Sequence, residues 1–188
     1  MSQIRLPVLV STFYSVSNDL VVVVQGQRAT GKSSLIAGLL QRDNKNNPKN
    51  YLFVADDPTT FIEEDGTLSI AERQDVMLRP EIGFRVGAER QVYAVPSNQF
   101  YYNQFKSGKP AGLVVNLHRN NGQVQQRDAS EYLSSPYNCR EVFQQFGPDG
   151  TWTHYVLKHN IPVVDFGLVS KDVNSSVTEL SDVVLNRK

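Results

Sequence analysis

Residues 20–40 read LVVVVQGQRATGKSSLIAGLL. Leu20–Val24 is a short apolar run dominated by β-branched valine, which suits a strand buried on both faces. Residues 26–33, GQRATGKS, then fit the pattern G-x-x-x-x-G-K-[ST]. Beyond the loop, Leu35, Ile36, Leu39 and Leu40 recur at helical spacing within Lys32–Gln41. A buried strand, a glycine loop and an amphipathic helix, in that order, make the framework of a phosphate-binding loop. Gly26 and Gly31 allow backbone N–H groups to approach phosphate oxygens without a Cβ clash. The start of the helix adds its dipole and N–H groups. Lys32 would reach the β- and γ-phosphates, and the Ser33 hydroxyl would coordinate Mg²⁺. Ala29, Thr30 and Ser34 complete the nucleotide-contacting set. The plain alternative is a glycine-containing strand-to-helix turn that holds no ligand.

Four further runs read as strands: Tyr51–Ala55, Gln91–Val95, Gly112–Val115 and Ile161–Val164. Helical patterns fall between them, including Glu141–Phe146 and Thr153–Lys158. The polar run RDNKNNPKN over 42–50 reads as a loop, as do the stretches near Glu63–Gly66 and Gly147–Gly150. Strands alternating with helices predict a single α/β domain over 1–188. Its expected form is a three-layer P-loop NTPase fold, a mainly parallel sheet flanked by helices. Residues 1–19 read as an N-terminal strand extension. Leu6, Val8 and Val10 alternate there, and Ser17-Asn18-Asp19 signals a hairpin turn into Leu20.

Lys+Arg and Asp+Glu are each 19 in 188 residues. That balance excludes a whole-surface basic field, so nucleic acid is not indicated as a partner. Cys139 is the single cysteine, which excludes an intrachain disulfide and fits a reducing, cytoplasmic setting. The N-terminus lacks the order of a signal peptide, and no apolar run approaches the ~20 residues of a membrane helix. His118, His154 and His159 share no metal-ligand spacing.

Five segments, taken in order, resemble the Ras-like small GTPases, and within them the bacterial MglA-type group. GQRATGKS is the phosphate loop. ERQDVMLRPEIGFRVG (72–87) resembles the switch-region stretch. QVYAVPSNQFYYN (91–103) resembles the segment in which a Tyr-x-Val-Pro-Gly-Gln pattern replaces Asp-x-x-Gly. AGLVVNL (111–117) resembles the next core strand. NIPVVDFGLVSKDV (160–173) resembles the strand leading to the guanine-reading Asn-Lys-x-Asp, and VTELSDVVLN resembles the helix after it.

The resemblance implies GTP or GDP as ligand, with ATP as the alternative, together with Mg²⁺. It implies Lys171 stacking on the base and Asp172 accepting from guanine, against a reading of Ser170-Lys171-Asp172 as a solvated loop. Gln99 would position the attacking water or is a surface glutamine. The family's Pro-Gly-Gln is Pro96-Ser97-Asn98-Gln99 here, without the glycine whose backbone N–H meets the γ-phosphate in the switch. The expected hydrolysis is weak or absent. Thr60, with Thr59, is the candidate switch threonine over Mg²⁺, whereas Asp-Pro followed by Thr more commonly makes a turn. The 56–60 and 95–105 segments would face a protein partner.

Two other readings compete. LKHNIPVVDFGLVSKD with VTELSDVVLNRK also resembles the end of RecA-like or packaging-type ATPases, with Asp182 opening a last strand over Val183–Leu185. That chemistry needs an acid where GLVVNLHRN offers Asn116, and Asp165 stands in a different strand. The third reading is a pseudo-NTPase that keeps the loop as structure and serves as an interaction module.

Overall fold

The computed structural model describes residues 2–6, 10–27, 30–43, 50–74, 84–85, 90–91, 109–119, 122–134, 151–168 and 173–186. Strand β1 (Ser2–Leu6) precedes β2 (Val10–Ser15) and β3 (Leu20–Gln25). Helix α1 (Lys32–Asp43) leads to β4 (Tyr51–Glu64) and β5 (Thr67–Gln74). The two-residue strands β6 (Phe84–Arg85) and β7 (Arg90–Gln91) pair with each other. Then come β8 (Lys109–His118), β9 (Val124–Arg127) and a 3₁₀ turn at Ala129–Ser134. Helix α2 (Thr151–Lys158), β10 (Val163–Gly167) and α3 (Val173–Leu185) complete the order.

The main sheet has eight strands in the order β1-β4-β2-β3-β8-β10-β9, with β5 pairing β4 and touching β8. It is mixed, not mainly parallel as the sequence predicts. Among the described residues, parallel pairing is confined to β3–β8 and β8–β10. Those three strands carry three of the apolar runs on which the expectation rests, but a fourth, Tyr51–Ala55, lies in β4 and pairs antiparallel with β2. Of the antiparallel pairs in this sheet, β2–β3 and β4–β5 are hairpins, whereas β1–β4, β2–β4, β5–β8 and β9–β10 join strands separated by other elements. Strand β2 returns into β3 through a turn in which Asp19 takes a left-handed φ of 53°, as the Ser17-Asn18-Asp19 signal predicts. Strand β4 returns into β5 through Asp65 and Gly66, both at positive φ.

Strand β4 runs nine residues past the expected end at Ala55, through the segment read as a turn. Pairing explains this. Its first part pairs β2 as far as Asp56, and its second pairs β1 from Thr59 to Glu63. Pro58, which has no N–H to donate, falls in the gap between the two ladders.

Side chains alternate across β3. Val21 and Val23 join a core with Val114, Val163 and the α2 residues Trp152, Tyr155 and Val156. Val22 and Val24 join a second core with Leu35, Ile36 and Leu39 of α1 and Val177, Leu180 and Val184 of α3. One extra residue at Gly112 breaks the alternation of β8, because Val21 pairs Ala111 while Val22 pairs Leu113. Helix α2 ends with Asn160 at φ 49°, where Ile161 N–H donates to Val156 O and Asn160 N–H to Leu157 O, a Schellman closure.

The expected closing strand Val183–Leu185 is absent. These residues end α3, and Asn186 N–H donates to Asp182 O at 3.0 Å. A short apolar run does not by itself separate strand from helix. Here Val177, Leu180 and Val184 fall on one helical face against the core. No helix among the described residues is long and apolar enough to cross a membrane.

Candidate phosphate-binding site

Strand β3 is buried from Val21 onward and delivers the chain to Gly26. A Cβ at Gly26 would lie 2.8 Å from Leu117 O and 2.9 Å from the Thr30 hydroxyl, so only glycine fits there unchanged. Thr30 closes the loop on Gln27, its hydroxyl donating to Gln27 O at 2.8 Å and its N–H at 3.3 Å. Gly31 takes φ +104°, a region that side chains rarely adopt. Its carbonyl accepts from Leu35 N–H at 2.8 Å, which makes Gly31 the cap from which α1 starts.

The first-turn N–H groups of a helix have no acceptor inside it, and in α1 they belong to Lys32, Ser33 and Ser34. Lys32 is buried and curls back over the loop. Its ammonium donates to Gly26 O at 3.1 Å and to Gln27 O at 3.3 Å. The loop therefore holds a positive charge beside a helix start, an arrangement suited to an anion.

The carboxyl ends of the parallel strands β3, β8 and β10 come to the same level beside this loop. Gln25 pairs with Asn116, and Asn116 with Asp165. Leu168 N–H donates to His118 O at 2.8 Å, and the Leu168 side chain lies 3.1 Å from where a Gly31 Cβ would stand. In open α/β sheets ligands bind outside the carboxyl ends of the strands. His118 is buried at the end of β8. Burial lowers its pKa from the ordinary 6.5, and the nearby Asp165 charge opposes that shift.

A row of buried polar side chains crosses the sheet at this level. Gln25 Nε2 donates to Asn116 Oδ1. Asn116 Nδ2 donates to Asp165 Oδ1 at 2.9 Å, and Arg127 Nε donates to Asp165 Oδ2. The sequence reading singles out Asn116 and Asp165 only for their chemistry in the ATPase alternative, and it misses Gln25 and Arg127. The signal is present, since Gln25, Asn116 and Asp165 each follow a run of apolar strand residues.

Of the site residues predicted from sequence, the structure brings together Gly26, Thr30, Gly31, Lys32, Ser33 and Ser34. Thr60 lies in β4, two strands from β3, its backbone paired with Arg5 and Glu72. Ala29, Gln99, Lys171, Asp172 and the 95–105 segment lie outside the described residues. So do the expected strand beyond Gln91, the expected helix Glu141–Phe146 and Cys139. No group of three or more His, Cys, Asp or Glu suited to a metal occurs among the described residues. The Mg²⁺ of a phosphate loop takes a Ser or Thr hydroxyl, phosphate oxygens, water and one or two carboxylates, so a cluster of three is not required of the protein. Ser33, partly exposed in the first turn of α1, fits the hydroxyl requirement. No protein-family model matches the chain, and no curated protein does.

Proposed function

We propose that this chain binds a nucleoside triphosphate through Gly26–Ser34, and that it does so as a small-G-protein-like domain selective for guanine. The observation that carries the reading is the loop itself. Buried β3, a glycine that no other residue replaces unstrained, a left-handed Gly31 and a lysine held over the loop carbonyls form one unit with α1. Gly26, Thr30, Gly31 and the start of α1 would wrap the phosphates, and Lys32 would exchange its loop carbonyls for phosphate oxygens. Ser33 would hold Mg²⁺, which when bound neutralises phosphate charge.

The guanine assignment draws support from strand order. The loop strand is followed across the sheet by β8 and then β10, the order expected if 111–117 is the next core strand and 160–168 leads to the base-reading loop. The stretch holding Lys171 and Asp172 joins β10 to α3, and α3 is helical where the resemblance asks for a helix. The helix at Val183–Leu185 removes the closing strand on which the RecA-like reading depends.

Weak or absent hydrolysis is part of the proposal. Near the carboxyl end of β8, opposite Gln25 of β3, stands the carboxamide Asn116, and the carboxylate of Asp165 is engaged by Arg127. On this reading the protein is a cytoplasmic switch or scaffold whose partner surface includes the 56–60 and 95–105 segments.

Equilibrium titration of fluorescent GTP and ATP analogues with Mg²⁺, on wild type and Lys32→Ala, tests the proposal. GTP preference, with a GTP affinity that Lys32→Ala weakens by about 10- to 150-fold, supports it, the equivalent of one charge-assisted hydrogen bond of about 1.5–3 kcal/mol. ATP preference sinks the guanine assignment. A folded protein that binds neither leaves the loop as a structural turn.

A further inference from the structure

The row from Arg127 to Gln25 does more than staple four strands. Gln25, Asn116 and Asp165 are at most 1% exposed, so each polar atom there must find its partner inside the protein. The Asp165 carboxylate has no hydrogen to give, so Asn116 must turn its NH₂ toward it. The Asn116 carbonyl then faces β3, and Gln25 must answer with its own NH₂. Arg127 donates to the other oxygen of Asp165 and holds the carboxylate in place at the head of the row. The row ends at Gln25, the last residue of β3, which is bonded directly to Gly26, and the Gly26 carbonyl is the nearer of the two that Lys32 holds.

We propose that Asp165 is a positioning residue for the phosphate loop, acting through Asn116 and Gln25 on Gly26 and Lys32. This rests on the nucleotide reading above. Asp165 stands two strands from β3 and Arg127 three, about 10 Å and 14 Å at the usual strand spacing, so the row is the hydrogen-bonded path from Arg127 to the loop strand. With Asn at position 165 the amide carbonyl accepts from Arg127 and its NH₂ faces Asn116, so Asn116 turns its carbonyl to it and its own NH₂ toward β3. The end that Gln25 presents to Asn116 is then reversed although every residue keeps its shape.

The test measures the Kd of mant-GTP with Mg²⁺ on wild type, Lys32→Ala, Asp165→Asn, Arg127→Gln and the exchange Asn116→Asp/Asp165→Asn. Urea unfolding of each variant gives the folded fraction. In the exchange, the carboxylate at 116 accepts from Gln25, the amide at 165 donates to it and accepts from Arg127, and Gln25 sees what it sees now. Asp165→Asn and Arg127→Gln are expected to raise Kd per folded molecule by about two- to thirtyfold, and the exchange to recover most of that loss.

Wild-type Kd in both single variants, with Lys32→Ala still defective, overturns the positioning role and leaves nucleotide binding intact. A folded exchange variant no better than Asp165→Asn overturns it also. Absence of binding by wild type overturns both readings together. If Asp165→Asn does not fold, Arg127→Gln decides, because its side chain sits at the partly exposed end of the row.

Discussion

Tyr155 donates its phenolic hydrogen to the Gly66 carbonyl at 2.7 Å. The same oxygen accepts from the Ala111 N–H at 3.3 Å, so one side chain of α2 ties the β4–β5 turn to the start of β8. Trp152 stacks on one side at 5.5 Å, and the His159 ring lies 4.6 Å away on the other. Tyr155→Phe keeps the ring packing and deletes both bonds. The expected cost is about 1–3 kcal/mol, the range for leaving buried backbone groups without a partner. Urea unfolding at neutral pH measures it, and an unchanged midpoint would show that other groups take over both bonds.

The same hydroxyl sets an alkaline limit. Burial, foremost, pushes the Tyr155 pKa from 10.0 up to about 12; the Ala111 bond opposes this and the Glu63 charge adds to it. A raised folded pKa means that the fold prefers the protonated phenol. Its contribution is complete below pH 10 and is lost as pH rises through about 12. Stability measured across that window is expected to fall less steeply in Tyr155→Phe than in wild type. Equal slopes would assign the alkaline limb to other tyrosines.

Leu180 of α3 is fully buried against Val22, Val115 and Val164, whereas Asp182, two residues on, is exposed. Leu180→Ala is expected to cost about 2–5 kcal/mol, because it opens a cavity between α3 and the sheet. Asp182→Ala should stay within about 0.5 kcal/mol. Chemical denaturation of the two variants compares these values. Similar large losses would contradict a helix at this position.

The local grammar of the fold was legible where one signal dominates. The valine run of β3, the glycine loop and the four apolar positions of α1 specify strand, loop and helix with little help from elsewhere. The turn into β3 was equally clear, since three consecutive turn-forming residues precede Leu20. Pairing partners were not legible. Nothing in Tyr51–Ala55 says that β4 continues past Pro58, because its second half depends on β1, some fifty residues earlier in the chain. The run Asp182–Leu185 is short enough to suit either period, and only packing against β10 and α1 settles it. In the site, the loop residues were found because their spacing is local. Gln25 and Arg127 were missed because the row they close is set by strand register, which joins residues 91 and 38 positions apart.

Gly26 separates loop geometry from overall stability. An added Cβ would stand 2.8 Å from Leu117 O, a backbone atom that cannot swing aside as a side chain can. Gly26→Ala is therefore expected to displace the loop by a few tenths of an ångström and weaken nucleotide binding about tenfold or more, a loss of about 1.4 kcal/mol or more in phosphate contacts. The global cost should stay near the overpacking range of about 1–3 kcal/mol. Parallel nucleotide titration and urea unfolding give both numbers. Unchanged affinity in a folded variant would mean that the phosphates do not depend on this approach of the loop to β8.

His118 reports on charge beside the loop. Burial, the larger cause, lowers its pKa below 6.5, and the Asp165 charge pulls it back up. A depressed folded pKa means that the fold prefers neutral imidazole. The associated stability is present above pH 6.5 and is lost as pH falls through the lower folded value. Two variants move this titration in opposite directions. Asp165→Asn removes the opposing charge and is expected to lower the His118 pKa further. Arg127→Gln takes away the guanidinium paired with Asp165, leaves that negative charge less compensated, and is expected to raise it. Imidazole proton shifts followed by NMR from pH 4 to 8, about two units either side of the ordinary value, give both pKa values. Shifts of the same sign in the two variants would mean that His118 senses a change in burial and not the charge of Asp165.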